Sequence, residues 1–373
     1  MERYVVGFST EEDKETAFEE NCVQILKKAG AKQPVAIVFF SDYENFEWYS
    51  IQFKKRFPNS TIIGATTYVG FSSLGYAHRS LTSLSLISDI ECSFGVLKEI
   101  NRYPMKYVQS IKNAVKSISS TENAICLEFS TARGKSEELV LDTFASILKP
   151  INIPVVGGNA GCGDNAAQTL VSLNGKIFDN ACVFLILRNL RGKVFLYKEN
   201  IYQPTKHFFT VTDVNRDELT VYELDKKPIT EVISKTLGIK KEELSDYILY
   251  HPLGRIQDGQ VYITDCDKIL DDGSLSFYVR IYNYTRLCMM ELNDFEIVRK
   301  RTVKAIKSVI EKPAFTIAIN CFNRSKLFEK NKVFDAFVQN LKSDYGDFIG
   351  ISGFGEQINF TQLNQTLVLV VFE

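Results

Sequence analysis

Two kinds of loop in this sequence carry residues that could hold a small molecule. The first kind runs from a β-rich stretch into a helical one: Ser41-Asp42-Tyr43, Ser130-Thr131-Ala132-Arg133-Gly134-Lys135-Ser136 and Cys321-Phe322-Asn323-Arg324-Ser325. Free N–H groups at a helix start can hold an anion or carboxylate, and an arginine adds a fork of donors. Arg324 is therefore expected to pair a ligand carboxylate. The simpler reading is helix capping by Ser, Asp and Asn, with Arg133 as ordinary surface charge. The second kind of loop is glycine-rich: Gly64-Ala65-Thr66-Thr67, Gly157-Gly158-Asn159-Ala160-Gly161 and Gly350-Ile351-Ser352-Gly353-Phe354-Gly355-Glu356. Glycine lets a ligand, or equally another strand, approach the backbone. The expected ligand-binding set is the backbone at Gly64, Gly158 and Gly353 with the side chains of Asn159, Cys321, Arg324, Glu356 and Asn364. Glu356 or Asn364 would take an amino group.

Catalytic chemistry finds a weaker cast. Arg133-Gly134-Lys135-Ser136 looks like the end of a phosphate-binding loop, but Phe129 stands where the upstream glycine would be, so the cradle cannot close. No G-x-G-x-x-G, H-E-x-x-H or G-x-S-x-G motif is present. A non-catalytic protein is expected. The alternative is an enzyme with a pocket of Cys321, Arg324 and Glu356. Haem would need an axial ligand, and the sequence offers His78, His207 and His251. His251, between the apolar run Tyr247-Ile248-Leu249-Tyr250 and Pro252, suits that role best, although a lone histidine beside apolar residues is more often structural. No metal and no cofactor are expected, with haem on His251 as the alternative.

These loops are positioned by a unit that occurs three times, over residues 4–88, 92–188 and 287–372. In each, a strand, an amphipathic helix and a buried strand (Val35–Phe40, Ala124–Phe129 or Phe315–Asn320) lead into a second helix. A glycine-ending strand and a last strand follow. The third unit is expected to begin with Leu287–Leu292 and to carry its second helix over Leu327–Lys342. Between the second and third units lies a β-rich segment. Repetition at this length governs the fold. The expectation is an α/β protein: mixed sheets with packed helices, three related β-α-β-α-β-β units and a β-rich insertion. The domain division falls at 190/191, giving 1–190 and 191–373, the latter composed of the insertion 191–285 and a third α/β unit 286–373.

Composition narrows the partners. Among 373 residues, 44 are Lys or Arg and 45 Asp or Glu, so no basic excess exists to neutralise a nucleic-acid backbone. No apolar run approaches the roughly 20 residues of a membrane helix, and the N-terminus lacks a signal-peptide core. A cytoplasmic protein with no membrane partner is expected. The eight cysteines form no C-x-x-C pair, which argues against a disulfide framework or structural zinc.

Taken together, these motifs resemble the FIST family. Gly353-Phe354-Gly355-Glu356 with Asn364-Gln365-Thr366 resembles its closing G-x-G-E and N-x-T elements, and Cys321-Phe322-Asn323-Arg324 its C-x-x-R element. Ile63-Gly64-Ala65-Thr66 and Val156-Gly157-Gly158-Asn159-Ala160 resemble its amino-terminal glycine motifs, and Asp272-Gly273-Ser274-Leu275 a turn of its carboxy-terminal part. The resemblance covers nearly the whole chain. It implies a FIST N-like region (1–190) and a FIST C-like region (191–373) forming a stand-alone sensory module for signal transduction. The ligand would be amino-acid-like or another small anionic metabolite, and the partner a signalling protein such as a histidine kinase or cyclase. Some relatives bind haem and sense nitric oxide, which makes a haem-based sensor the alternative.

Overall fold

Three stretches of the chain fold to one plan, and their sheets are completed by exchange. The structure, a computed structural model, describes residues 2–30, 32–132, 136–163 and 166–373. The first repeat comprises β1 (Tyr4–Ser9), α1 (Lys14–Ala29), β2 (Ala36–Ser41), α2 (Tyr43–Arg56), β3 (Thr61–Thr66), the short strands β4 (Gly70–Ser72) and β5 (Gly75–Ala77), and β6 (Leu81–Leu86). The second comprises β7 (Ile90–Lys98), α3 (Val108–Lys116), β8 (Ala124–Ser130), α4 (Glu137–Leu148), β9 (Val155–Asn159), β10 (Val171–Leu173), β11 (Lys176–Phe178) and β12 (Ala181–Asn189). After β13 (Val194–Asn200) comes the insertion: β14 (Tyr202–Asn215), β15 (Thr220–Leu224), β16 (Lys227–Pro228), α5 (Ile229–Leu237), α6 (Leu244–Tyr247), β17 (Leu253–Gln257), β18 (Gln260–Thr264), β19 (Cys266–Ile269), β20 (Leu275–Phe277) and β21 (Arg286–Leu292). The third repeat adds α7 (Phe295–Lys307), β22 (Phe315–Cys321), α8 (Phe322–Lys330), α9 (Phe334–Tyr345), β23 (Phe348–Gly353), β24 (Glu356–Ile358), β25 (Thr361–Leu363) and β26 (Thr366–Phe372).

The mixed α/β class and the threefold repetition expected from the sequence are both present. The chain divides into two compact units. One holds Met1–Glu199, Thr302–Gln362 and Leu367–Glu373; the other holds Asn200–Arg301 and Leu363–Thr366. The second is built on a sheet of order β18-β17-β21-β14-β15-β20-β19, with β16 on β15. Among the described residues no helix is long and apolar enough to cross a membrane.

In the first unit each repeat forms the centre of a six-stranded sheet, and the orders are β1-β6-β2-β3-β10-β11, β25-β24-β9-β8-β12-β7 and β13-β26-β22-β23-β4-β5. The short hairpin of each repeat thus completes a neighbour's sheet: β10–β11 joins the first, β24–β25 the second and β4–β5 the third. Covering an open strand edge in this way removes exposed N–H and C=O groups. The third repeat differs from the others at its start. Residues Leu287–Leu292 lie in β21, which pairs β14 and β17 in the insertion's sheet, and β13 takes the place beside β26. An apolar alternation says that a strand exists but not which sheet it joins. The expected helix over Leu327–Lys342 is two helices, broken where Lys332 adopts a φ of 56°. Few side chains tolerate that conformation within a helix.

The helices cover the sheets by their apolar faces. In α1, Ala17, Phe18, Cys22, Ile25 and Ala29 are buried, and Asp13 caps the helix by accepting from Thr16 N at 2.9 Å. Asp42 caps α2 in the same way through Asn45 N at 3.0 Å. The central strands β2, β8 and β22 are buried along their whole length, as their unbroken apolar runs require.

The carboxyl ends of β3, β9 and β23 meet. Gly161 N donates to Thr66 O at 2.8 Å, Tyr68 N to Ser352 O at 3.0 Å, and Asn159 N to Gly355 O at 2.9 Å. Only glycine admits this approach. A Cβ on Gly353 would lie 1.9 Å from Asn159 O, and one on Gly161 2.0 Å from Ser352 O. Gly353→Ala is therefore expected to destabilise the protein by about 3 kcal/mol or more through overpacking against backbone. Urea unfolding checks this, and an unchanged midpoint would contradict the packing described.

Candidate functional site

The second repeat departs from the first at one buried place. In the parallel pair β2–β3, Phe39 lies opposite Gly64, and in β8–β9 Glu128 lies opposite Gly157. Both glycines make room for that neighbour. A Cβ on Gly64 would lie 2.3 Å from the Phe39 ring, and one on Gly157 1.9 Å from Glu128 O and 3.1 Å from its Cγ. In the third repeat Ala318 lies opposite Gly350, and the Phe71 ring from β4 fills the space. On the other flank, Leu81 and Leu367 in β6 and β26 correspond to Cys182 in β12. The second repeat thus puts a carboxyl and a thiol where its siblings place aromatic and aliphatic groups.

Glu128 is fully buried. Its Oε2 accepts from Ser130 Oγ at 2.8 Å and Cys182 Sγ at 3.1 Å, while Oε1 makes no hydrogen bond. Burial pushes its pKa up to about 7; nearby Glu137 adds to the rise, and the Cys182 and Ser130 hydrogen bonds oppose it. Burial also holds the Cys182 and Cys126 thiols well above their ordinary range, so both stay neutral. The cluster continues across the carboxyl end of β9. Asn159 Nδ2 donates to Glu137 Oε1 at 2.5 Å, in the first turn of α4, and Asn159 Oδ1 accepts from Gln357 Nε2 at 3.0 Å. Gln357 Nε2 also donates to Gln362 Oε1 at 2.8 Å, and Gln357 Oε1, itself buried, accepts nothing. The Ser136 hydroxyl, next to Glu137 in sequence, is buried and without a partner. The acid and amide atoms still open are acceptors. Glu128 lies two residues before the carboxyl end of β8, which runs parallel to β9, and α/β sheets bind ligands beyond such ends, while Gln357 lies on the antiparallel β24. Among the described residues no group of three or more His, Cys, Asp or Glu is placed to hold a metal.

The FIST N domain profile matches residues 34–227, and the FIST C domain profile matches residues 230–359. The chain belongs to the FIST family. FIST domains are in general signal-transduction sensor modules. Among curated proteins none matches. A solved structure described as "Cyanuric acid hydrolase: evolutionary innovation by structural concatenation" aligns over 100% of this chain and 99% of its own, at 9% identity and a TM-score of 0.33. At that score the likeness says nothing of this chain's chemistry. The FIST N and FIST C matches meet between 227 and 230, whereas the sequence reading divides the chain at 190/191.

Several residues expected to bind ligand in this FIST protein gather where β9, β23 and β24 meet. Gly158 lies opposite Glu356 in the β9–β24 pair, Asn159 follows, and Gly353 packs on the Asn159 carbonyl. A Cβ on Gly158 would meet Gly355 O and Ile319 Cγ2, each at 2.7 Å, so this glycine is accounted for by strand packing. Gly64 is accounted for by the Phe39 ring. Cys321 is buried and forms the N-cap of α8, its carbonyl accepting from Ser325 Oγ at 3.1 Å. The Phe322 and Phe354 rings, 5.0 Å apart, bring this helix start to the segment before Glu356, whose side chain is buried.

Arg324 is engaged elsewhere. Its guanidinium is 1% exposed, pairs with the Glu199 carboxylate and carbonyl, and stacks on the rings of Phe328 and Phe337 at 5.0 and 5.7 Å. The terminal nitrogens expected to take a ligand carboxylate are thus engaged by Glu199, and Nε, also buried, makes no hydrogen bond. Asn364 belongs to the second unit, where its buried amide makes no hydrogen bond. His251, in that unit too, is half-buried with Nδ1 3.3 Å from the Met290 carbonyl, which leaves Nε2 as the nitrogen for an axial bond to haem. Arg133, Gly134 and Lys135 lie outside the described residues.

The sequence reading passed over Glu128, Cys182, Gln357 and Glu199. A signal for the first existed. Cys126, Glu128 and Ser130 alternate on one face of a strand whose remaining residues are apolar, so an acid had to be buried there. Glu199 had no signal, since nothing in sequence ties it to Arg324.

Two outcomes follow from this electrostatics. Arg324→Met leaves a buried carboxylate unpaired and is expected to cost about 3–5 kcal/mol, most of it recovered in the double variant with Glu199→Gln. Glu128 carries a folded pKa of about 7, raised from an ordinary 4.5. A raised acid stabilises the fold when protonated, and that contribution is lost as pH rises through its folded pKa. Wild-type stability relative to Glu128→Gln is therefore expected to fall by about 3 kcal/mol between the ordinary and the folded pKa, and to level off above it. Denaturant titrations of both proteins across that window read the difference directly.

Proposed function

We propose that this FIST protein is a cytoplasmic, non-catalytic sensor that binds a small amino-acid-like ligand in its second repeat and reports it to a signalling enzyme such as a histidine kinase or cyclase. One observation carries the reading: the repeat replaces apolar core with a buried acid that keeps an unsatisfied oxygen. Leaving such a group in a core costs free energy, and groups of this kind cluster at functional sites. The pairing of Arg324 with Glu199 moves the weight of recognition from the ligand's carboxylate to its amino group. Asn159, held between Glu137 and Gln357, would orient that group.

A thermal-shift screen of the L-amino acids and haemin tests the reading. One amino-acid class is expected to stabilise the protein, by about 2.7 kcal/mol at a hundredfold excess over Kd, and Asn159→Ala is expected to weaken its binding at least tenfold. Haemin binding with a Soret band lost on His251→Ala would replace this reading with a haem sensor, and silence from every compound would remove it.

A further inference from the structure

We propose that the Glu128 carboxyl is the receptor for a small primary ammonium group, and that binding expels the Glu128 proton to solvent. The inference rests on the ligand-binding reading above and names the chemistry of its recognition.

The hydrogen-bond accounting of the cluster points one way. Cys182 Sγ and Ser130 Oγ both donate to Glu128 Oε2, Asn159 Nδ2 donates to Glu137, and Gln357 Nε2 donates to Asn159 and Gln362. With Glu128 ionised, the acid and amide atoms left over are the acceptors Glu128 Oε1 and Gln357 Oε1, on the two strands that flank β9, and the Ser136 hydroxyl is also without a partner. Gln357 and Glu128 flank Gly157 from either side, on β24 and β8. An anion brings no donor to such a place. An ammonium brings three donors and a positive charge.

Charge agrees with geometry. Among the described residues, the titratable groups facing Glu128 are Cys126 on its own strand, Cys182 on β12 and Glu137 on α4; β9 contributes none. The two thiols are neutral and Glu137 is acidic, so among the described residues no cation contributes to holding Glu128 ionised. In the empty site the acid therefore keeps its proton below about pH 7. When an ammonium enters, the O–H bond of Glu128 breaks and its proton leaves to water. The carboxylate then accepts an N–H from the ligand, which remains a cation. A fully formed ion pair replaces a neutral acid, so the ligand supplies what the fold withholds. Gly157 in β9 admits the Glu128 backbone carbonyl and the root of its side chain, at the position where a Phe ring packs in the first repeat.

Isothermal titration with methylammonium, and with acetate as the matching anionic probe, tests this across pH 5–9. The apparent Kd for methylammonium is expected to fall about tenfold per pH unit up to near 7 and then to level off, following the ionised fraction of one acid. Glu128→Gln is expected to abolish that pH dependence and weaken binding at least tenfold above the break. Cys182→Ala removes a donor to the carboxylate and is expected to move the break to higher pH. A Kd independent of pH, or equal binding by Glu128→Gln, overturns the proposal. Binding of acetate in place of methylammonium overturns the ammonium assignment and leaves the ligand-binding reading standing. Binding of neither probe also removes the assignment, and the amino-acid screen then decides that reading by itself.

Discussion

Backbone meeting backbone at the carboxyl ends of β3, β9 and β23 is the constraint on which the first unit is built. Asn159 O and Ser352 O lie where the Cβ atoms of residues 353 and 161 would be, and no side chain can stand between them. The strand ends are joined by the same groups: Thr67 Oγ1 accepts from Ser352 N at 2.9 Å, and Ala160 N donates to Ser130 O at 2.8 Å. Everything near that meeting point is fixed by it. Asn159 is held at the end of β9 because its own amide and its neighbour's are committed to other strands, and this in turn sets the places of Glu137 and Gln357.

Against that rigid frame, Glu128 is the departure. The fold has shown, in Phe39 and Gly64, how to fill this position with apolar atoms. Using a carboxyl instead gives up packing and leaves an acceptor unsatisfied. The two donors that reach it, a thiol and a hydroxyl, are weak or neutral ones and do not hold it ionised. Arg324 shows the opposite solution in the same unit. A buried charge there meets an opposite charge and two aromatic rings, and only its Nε is left without a partner. The contrast separates a structural ion pair from a site still able to react to its surroundings.

Much of this architecture was legible in the sequence. The apolar runs 124–129 and 315–320 marked strands buried on both faces, and the glycines following each second helix marked the strands that meet. What could not be read was partnership. Nothing in the short segments 70–77, 171–178 and 356–363 says that each pairs with a different repeat, because a three-residue strand carries too little pattern to specify its neighbour. For the same reason Leu287–Leu292 was assigned by analogy to a sheet that β13 completes. The site was legible in kind but not in place. Asn159 was named, while Arg324 drew attention that Glu199 had already claimed, and Glu128 was hidden within a run counted only for its hydrophobicity.

The exchanged hairpins also decide how the chain acquires its structure. Each sheet of the first unit is finished by residues far along the chain: β4 in the first repeat pairs β23 in the third, across more than two hundred residues of intervening sequence. No repeat can close its own sheet, so an isolated one would expose the edge its neighbour normally covers. The three are thus obliged to form together, and the last hairpin to be made completes the sheet of the repeat before it. Such long-range pairing makes for slow folding, because loop closure comes before the contacts that reward it. A nascent chain can finish its first sheet once β11 has emerged, but must hold its second unfinished until β24 and β25 follow.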